Sequence, residues 1–244
     1  MTTAMEIRPA LETMEGDGAE VKRLMPIHGF MNFDPIVLWD HFSIGPGSGF
    51  PDHPHRGFEG ITYLFSGSIE HADNLGNRSR VYAGGAQRFT AGSGIVHSEM
   101  PATDERTDGI QLWINLPKRL KTVDPDYQQV DAENIPVEEI PGGSRRVIIG
   151  EGGPVKLMTP VKYLDISLDK GASLEEEINP QHRGLLYMVE GDIQLNGQQL
   201  TTAQASFING QDKLEIKAEQ PSRFMLCVGQ PHGESIRQYG PFVD

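Results

Sequence analysis

Cysteine is almost missing from this chain: Cys227 is the only one in 244 residues. A framework of intrachain disulfides is thereby excluded, and a reducing cytoplasm is the expected setting. Long apolar runs are missing too. No segment approaches the roughly 18 consecutive apolar residues that a membrane helix requires, so no membrane partner is expected. Met1 to Glu15 lacks the basic stretch and apolar run of a secretory leader. Basic residues are few, with 21 Lys and Arg against 34 Asp and Glu, for a formal charge of −13. The densest basic spots, Arg145-Arg146 and Lys118-Arg119-Leu120-Lys121, stand apart and read as solvated faces. Gripping nucleic acid needs clustered Lys and Arg, so the composition argues against direct nucleic-acid binding. Helical patterning is also scarce, and only Glu234 to Tyr239 reads as a short helical turn.

What the chain has in quantity is turn residues, 28 Gly and 17 Pro, beside a hydrophobic fraction of 37% that suffices for a packed core at this length. Between them lie short strand-like runs: Ile36 to Phe42, Gly60 to Phe65, Ser68 to Ala72, Ile110 to Leu116 and Arg145 to Ile149. They continue as Val161 to Leu168, Leu185 to Val189, Asp192 to Asn196, Leu214 to Ala218 and Arg223 to Val228. Ile110, Leu112, Ile114 and Leu116 alternate with Gln111, Trp113 and Asn115, the period of a strand with one buried face. Many short strands at close spacing indicate an all-β sandwich or barrel.

The chain also repeats itself. His55-Arg56-Gly57, then Tyr63, Gly67 and Ile69, recurs as His182-Arg183-Gly184, then Tyr187, Gly191 and Ile193. Each Tyr-x3-Gly-x-Ile reads as a hairpin, so duplication implies two similar β-domains. We place the first at 1–120, a Pro- and Gly-rich linker at 121–144, and the second at 145–244.

Two pairs of residues carry the chemistry. His53-Pro54-His55 and His97-Ser98-Glu99 each place two donors at i and i+2, on one face of a strand. Neighbouring strands presenting both pairs inward would offer three imidazoles and one carboxylate to a single divalent ion. That donor set suits Fe, Mn, Ni, Cu or Zn, with no thiolate to favour a soft metal. Four protein ligands on an octahedral ion would leave two positions open for water, substrate or dioxygen.

The glycine spacing around these pairs resembles the cupin superfamily. The resemblance narrows at Phe50-Pro51-Asp52-His53-Pro54-His55-Arg56-Gly57-Phe58-Glu59, at Asp73-Asn74-Leu75-Gly76-Asn77 and at Thr90-Ala91-Gly92-Ser93-Gly94-Ile95-Val96-His97-Ser98-Glu99-Met100-Pro101. Together with Gly109-Ile110-Gln111-Leu112-Trp113 and the closing Tyr239-Gly240-Pro241-Phe242-Val243, these strings resemble the pirin family along nearly the whole chain. The resemblance implies a bicupin, two cupin (jelly-roll) barrels packed together, with a single metal, usually iron, in the N-terminal one. His53, His55, His97 and Glu99 fall on the family's ligand positions. In many other cupins the glutamate ligand follows the HxH pair, which makes Glu59 a rival. Glu99 is preferred because it shares a strand face with His97.

The resemblance implies a quercetin 2,3-dioxygenase-type activity, opening a flavonol ring with O2 and releasing CO, with Glu99 or Glu59 accepting the phenolic proton. The small aromatic substrate and O2 would then be the partners. The alternative it implies is a regulatory module whose metal redox state tunes binding to a protein partner. A third reading is a cupin using metal for stability alone. In the second copy Pro180 stands where His53 would be, and Ala205 to Gly210 carries no His-x-Glu, so a metal-free barrel with a structural His182 is expected. His28, His41, His71 and His232 lack matched partners and read as structural. Cys227, in an apolar run, reads as a buried inert thiol. A monomer is the expected state.

Overall fold

Each stretch read as a strand lies within a strand of the computed structural model or overruns one by a residue, and the structure describes residues 5–244. The first residues of the stretch screened for a leader, Met1 to Ala4, lie outside that range. Among the described residues there is no α-helix, only two 3-10 turns at Lys118–Leu120 and Ala132–Asn134. No helix is long and apolar enough to cross a membrane. The helical turn expected at Glu234 to Tyr239 is not formed. Gln238–Tyr239 instead pairs with Phe242–Val243 around Gly240 and Pro241, with Gly240 at a φ of +56°, a geometry that suits glycine.

The chain divides into two compact units. One comprises residues 11–135, 155–159 and 232–244, and the other holds residues 136–154 and 160–231 together with the strand Glu6–Pro9. We call them the N-terminal and C-terminal barrels. These are not the continuous domains expected, because terminal segments are exchanged: Glu6–Pro9 pairs with Gln204–Asn209, and His232 onward joins the N-terminal barrel. Nor is 121–144 a bare linker. Asp126–Val130 pairs with Ala86–Thr90, and Val137–Ile140 with Gly143–Ile149. Proline and glycine density marked that stretch as a connector, but the short runs between these residues still complete sheet edges.

The N-terminal barrel has a seven-stranded sheet in the order Asp126–Val130, Ala86–Thr90, Phe58–Ser66, Thr107–Asn115, Ile36–Ile44, Ala19–Met25, Leu11–Glu15. Its second sheet runs Phe50–His55, Ile95–Pro101, Ser68–Asp73, Arg78–Tyr82. The C-terminal barrel repeats the plan strand for strand. Its long sheet runs Glu6–Pro9, Gln204–Asn209, Arg183–Glu190, Ser222–Gly229, Val161–Leu168, Gly143–Ile149, Val137–Ile140. Its short sheet runs Ser173–Glu177, Lys213–Ala218, Asp192–Leu195, Gln198–Thr201. The duplication read from the sequence is therefore real, with one correction. Tyr-x3-Gly-x-Ile is a corner and not a hairpin, since Phe58–Ser66 and Ser68–Asp73 belong to different sheets. Gly67 and Gly191 turn these corners at φ of +70° and +84°, where a Cβ would collide with Thr107 in one barrel and Ser222 in the other.

Burial differs from the simple alternation expected on Thr107–Asn115. Ile110, Leu112 and Ile114 are fully buried, but Trp113 and Asn115 on the other face are buried as well. The face carrying Gln111 and Trp113 lines the interior of the N-terminal barrel, which is why it is polar and aromatic without being solvent-exposed.

Candidate metal centre

The Phe50–His55 and Ile95–Pro101 strands are neighbours in the short sheet, with His53 opposite His97 and His55 opposite Ile95. On the other side Ser68–Asp73 sets Asp73 opposite His97 and His71 opposite Glu99. Period-two alternation therefore brings the side chains onto one inward face. Donor atoms of His53, His55 and His97 lie within 4.8 Å of one another. A second group, His71, His97 and Glu99, meets the same limit. The structure thus brings three of the four expected ligands together and sets Glu99 beside them. A bulge between His97 and Glu99 shifts the register at that point.

The protons of His53 and His55 follow from their partners. His53 Nδ1 lies 2.7 Å from the Pro51 carbonyl, and His55 Nδ1 lies 3.4 Å from the Pro241 carbonyl. A carbonyl only accepts, so each Nδ1 carries a proton, and in the neutral ring the lone pair is then on Nε2. His97 Nε2 is buried and, among the described residues, has no hydrogen-bond partner. A lone pair buried in this way among two other imidazoles is costly unless a cation completes it, so the donor set fits a bound divalent ion. Burial, then the neighbouring His53, pushes His55 down to about 3. Burial, followed by His55, His53 and His71, holds His97 well below the usual imidazole range. Both rings are therefore neutral near pH 7, the form that ligates a metal.

The support around these rings is aromatic and amide. His55 stacks on Phe89 with centroids 5.3 Å apart and meets the edges of Phe58 and Trp113 at 5.1 and 4.9 Å. Gly57, at φ +86°, brings the chain against the Val243 carbonyl, where any Cβ would collide. Lys121 Nζ donates to that carbonyl at 3.0 Å and to Gly57 O and Asn115 Oδ1, which ties the closing segment to the ligand loop. The Glu99 carboxylate, 2% exposed, accepts from Thr62 Oγ1 at 2.7 Å, from Gln111 Nε2 at 2.8 Å and from Gln87 Nε2. Tyr127 Oη donates in turn to Gln87 Oε1 at 2.9 Å. The presumed linker thus supplies one of the groups that hold Glu99 in place.

Glu59, the rival ligand and base, belongs to neither donor group. Its carboxylate accepts from the Met158 and Thr159 amides at 2.9 and 3.3 Å and from Thr90 Oγ1 at 3.0 Å. Burial pushes its pKa up, against the pull of those hydrogen bonds. The expected counterparts in the second copy also need correction. His182 lies in the turn before Arg183–Glu190, and Ala205 to Gly210 falls mainly on the counterpart of Ala86–Thr90. The strand matching Ile95–Pro101 is Lys213–Ala218. Cys227 is buried and its thiol is pushed up by burial, as expected of an inert side chain. His71 was missed. It is fully buried beside His97, and the signal for it was present, since His71-x-Asp73 repeats the i, i+2 spacing of the other two pairs.

Two antiparallel barrels built to one plan, the first with an inward cluster of histidines and a carboxylate, define a bicupin. The sequence pattern of the Pirin family matches residues 16–114, and that of the Pirin C-terminal cupin domain matches 163–244. A Pirin-like protein of Solanum lycopersicum is 40% identical over 94% of this chain and 82% of its own length. Human Pirin is 38% identical over 95% of this chain and 84% of its own. The crystal structure of a quercetin 2,3-dioxygenase from Acinetobacter baumannii superposes with a TM-score of 0.91 at 28% identity, covering 98% of this chain and 90% of that one. The chain belongs to the pirin family.

Proposed function

We propose that this protein is a metal-dependent dioxygenase of the quercetin 2,3-dioxygenase type, holding one iron through His53, His55, His97 and Glu99. The observation that carries the reading is the convergence of three imidazoles: His53 and His55 line a cavity of about 630 Å³, and His97 beside them has a buried Nε2 with no hydrogen-bond partner among the described residues. When bound, a divalent ion supplies Lewis acidity toward a flavonol's hydroxyl and carbonyl oxygens and the dioxygen chemistry that side chains lack. Similarity to the Acinetobacter baumannii enzyme supports the same reaction class.

The chain's own residues then bind and orient. Leu38, Phe42, Phe50 and Trp113 give the cavity apolar and aromatic walls suited to a planar ring system. Its carboxylates, Glu15, Asp17, Asp40, Asp52 and Glu99, face a single guanidinium, Arg23, which is already paired with Asp40 and Glu15. Such a lining favours a substrate that arrives neutral, such as a polyphenol, over a carboxylate. Glu99 lines the cavity and takes the phenolic proton, a task that Glu59 is turned away from.

The test is carbon monoxide release from quercetin by anaerobically iron-loaded protein exposed to dioxygen, with His97→Ala as control. Release by the parent protein and none by the variant is the expected result. No release from protein holding one equivalent of iron would overturn the enzymatic reading and favour redox-dependent binding of a protein partner.

A further inference from the structure

We propose that His71 and Asp73 form a buried relay that fixes the tautomer of His97 and aims its Nε2 lone pair at the metal position. The inference rests on the reading of His97 as a ligand and extends it to residues outside the expected set.

For rings that each carry one proton, the order of donors and acceptors leaves one arrangement. Asp73 only accepts. Its Oδ1 takes the Leu75 and Asn77 amides at 2.9 and 3.0 Å, and its Oδ2 takes Asn77 Nδ2 at 2.8 Å and His71 Nε2 at 3.1 Å. His71 therefore carries its proton on Nε2, and with one proton per ring its Nδ1 is an acceptor. His71 Nδ1 and His97 Nδ1 lie 3.5 Å apart. The proton between them belongs to His97, which leaves His97 Nε2 bare, and that is the atom found buried without a partner. The 3.5 Å contact is long for a hydrogen bond. A cation at Nε2 makes Nδ1–H a stronger donor and should shorten it.

The surroundings hold the relay in place. The His71 ring stacks on Tyr127 at 4.1 Å and 14°, which blocks its rotation. The turn Asp73-Asn74-Leu75-Gly76-Asn77 is anchored to the ligand strand, since Asn74 N donates to Val96 O at 3.0 Å and Val96 N to Asn74 Oδ1 at 2.9 Å. That anchor lies one residue before His97. The turn thus sets both ends of the relay. His71 itself groups with His97 and Glu99 within 4.8 Å. Both of its nitrogens are engaged, so the geometry makes it a positioning residue and not a ligand.

The experiment uses metal-free, 15N-labelled full-length protein, read by two-bond 1H–15N correlation of the histidine rings, followed by titration with Co(II). In the parent protein His97 should be the Nδ1–H tautomer and His71 the Nε2–H tautomer. His71→Leu should release the His97 preference and weaken Co(II) binding by about 10- to 100-fold. His71→Asn, which returns an acceptor oxygen close to the Nδ1 position, should recover most of that loss. An Nε2–H tautomer at His97 in the parent protein would overturn the relay, and this reading stands even if the leucine variant fails to fold. Unchanged Co(II) affinity in His71→Leu would overturn it as well, as would loss of one nitrogen ligand from the Co(II) spectrum. Failure of the underlying site reading looks different: His97→Ala would then bind Co(II) as tightly as the parent.

Discussion

On the Ile95–Pro101 strand of the N-terminal barrel, His97 and Glu99 face inward. On its counterpart Lys213–Ala218 in the C-terminal barrel, the buried positions are Leu214, Ile216 and Ala218. The neighbouring strand differs in the same way. Phe50–His55 presents two imidazoles, whereas Ser173–Glu177 presents Leu174 to the core and buries Glu176 against Lys162 and Arg145, at 2.7 and 3.2 Å. Leu186, Met188, Ile193, Leu195 and Leu200 are among the buried residues that pack the second interior. One strand order therefore supports two kinds of inside: a packed apolar core that gains stability from burial, and a cavity with buried polar groups that must each be satisfied. The N-terminal barrel meets that demand with the Thr62, Gln87, Gln111 and Tyr127 network around Glu99 and leaves His97 Nε2 open. The fold is shared, and among the described residues the candidate metal-ligating groups fall in one copy.

The difference between the two barrels should be largest at His97. His97→Ala should abolish stoichiometric metal binding, checked by metal analysis after dialysis, whereas His182→Ala in the other barrel should leave metal content unchanged. The reverse asymmetry is expected for stability. Leu214→Ala should lower unfolding free energy by about 2–5 kcal/mol through cavity formation, measured by denaturant titration, with metal content unaltered.

A finer distinction concerns Asp40, in the cavity wall, which burial pushes up to about 6 from 3.8 against the pull of Arg23. Because its folded value exceeds its unfolded one, Asp40 favours the fold fully below pH 3.8, and that contribution is lost as pH rises through 6. The stability gap between the parent and Asp40→Asn should therefore change by roughly 2–3 kcal/mol across that window, and a pH-independent gap would contradict the burial argument. The smallest effect is expected from Tyr127→Phe, which removes the hydroxyl that orients Gln87. Metal affinity should fall by less than about 10-fold with the fold intact.

Strand positions and the duplication could be read from the sequence because both depend on local pattern: alternation along a strand and a glycine at each corner. The pairs His53/His55 and His97/Glu99 were readable for the same reason, since i and i+2 share a face whatever the fold. What escaped depends on tertiary closure. Glu59 follows the HxH pair in sequence, yet its carboxylate is captured by the amides of Met158 and Thr159, about a hundred residues away. Tyr127 sat in a stretch dense in proline and glycine, and only sheet completion brings it to Gln87. The exchanged segments, Glu6–Pro9 and His232 onward, leave no mark in local periodicity. His71 is the instructive miss, because its spacing from Asp73 carried the right signal but neither residue type completed a matched pair.

Whether metal binds in one barrel and not in its structural twin can be read from iron anomalous scattering by crystals of iron-loaded protein. A single peak bounded by His53, His55 and His97, with Glu99 beside it, is the expected result. A peak inside the C-terminal barrel, or one seated on His71 in place of His53 and His55, would contradict it.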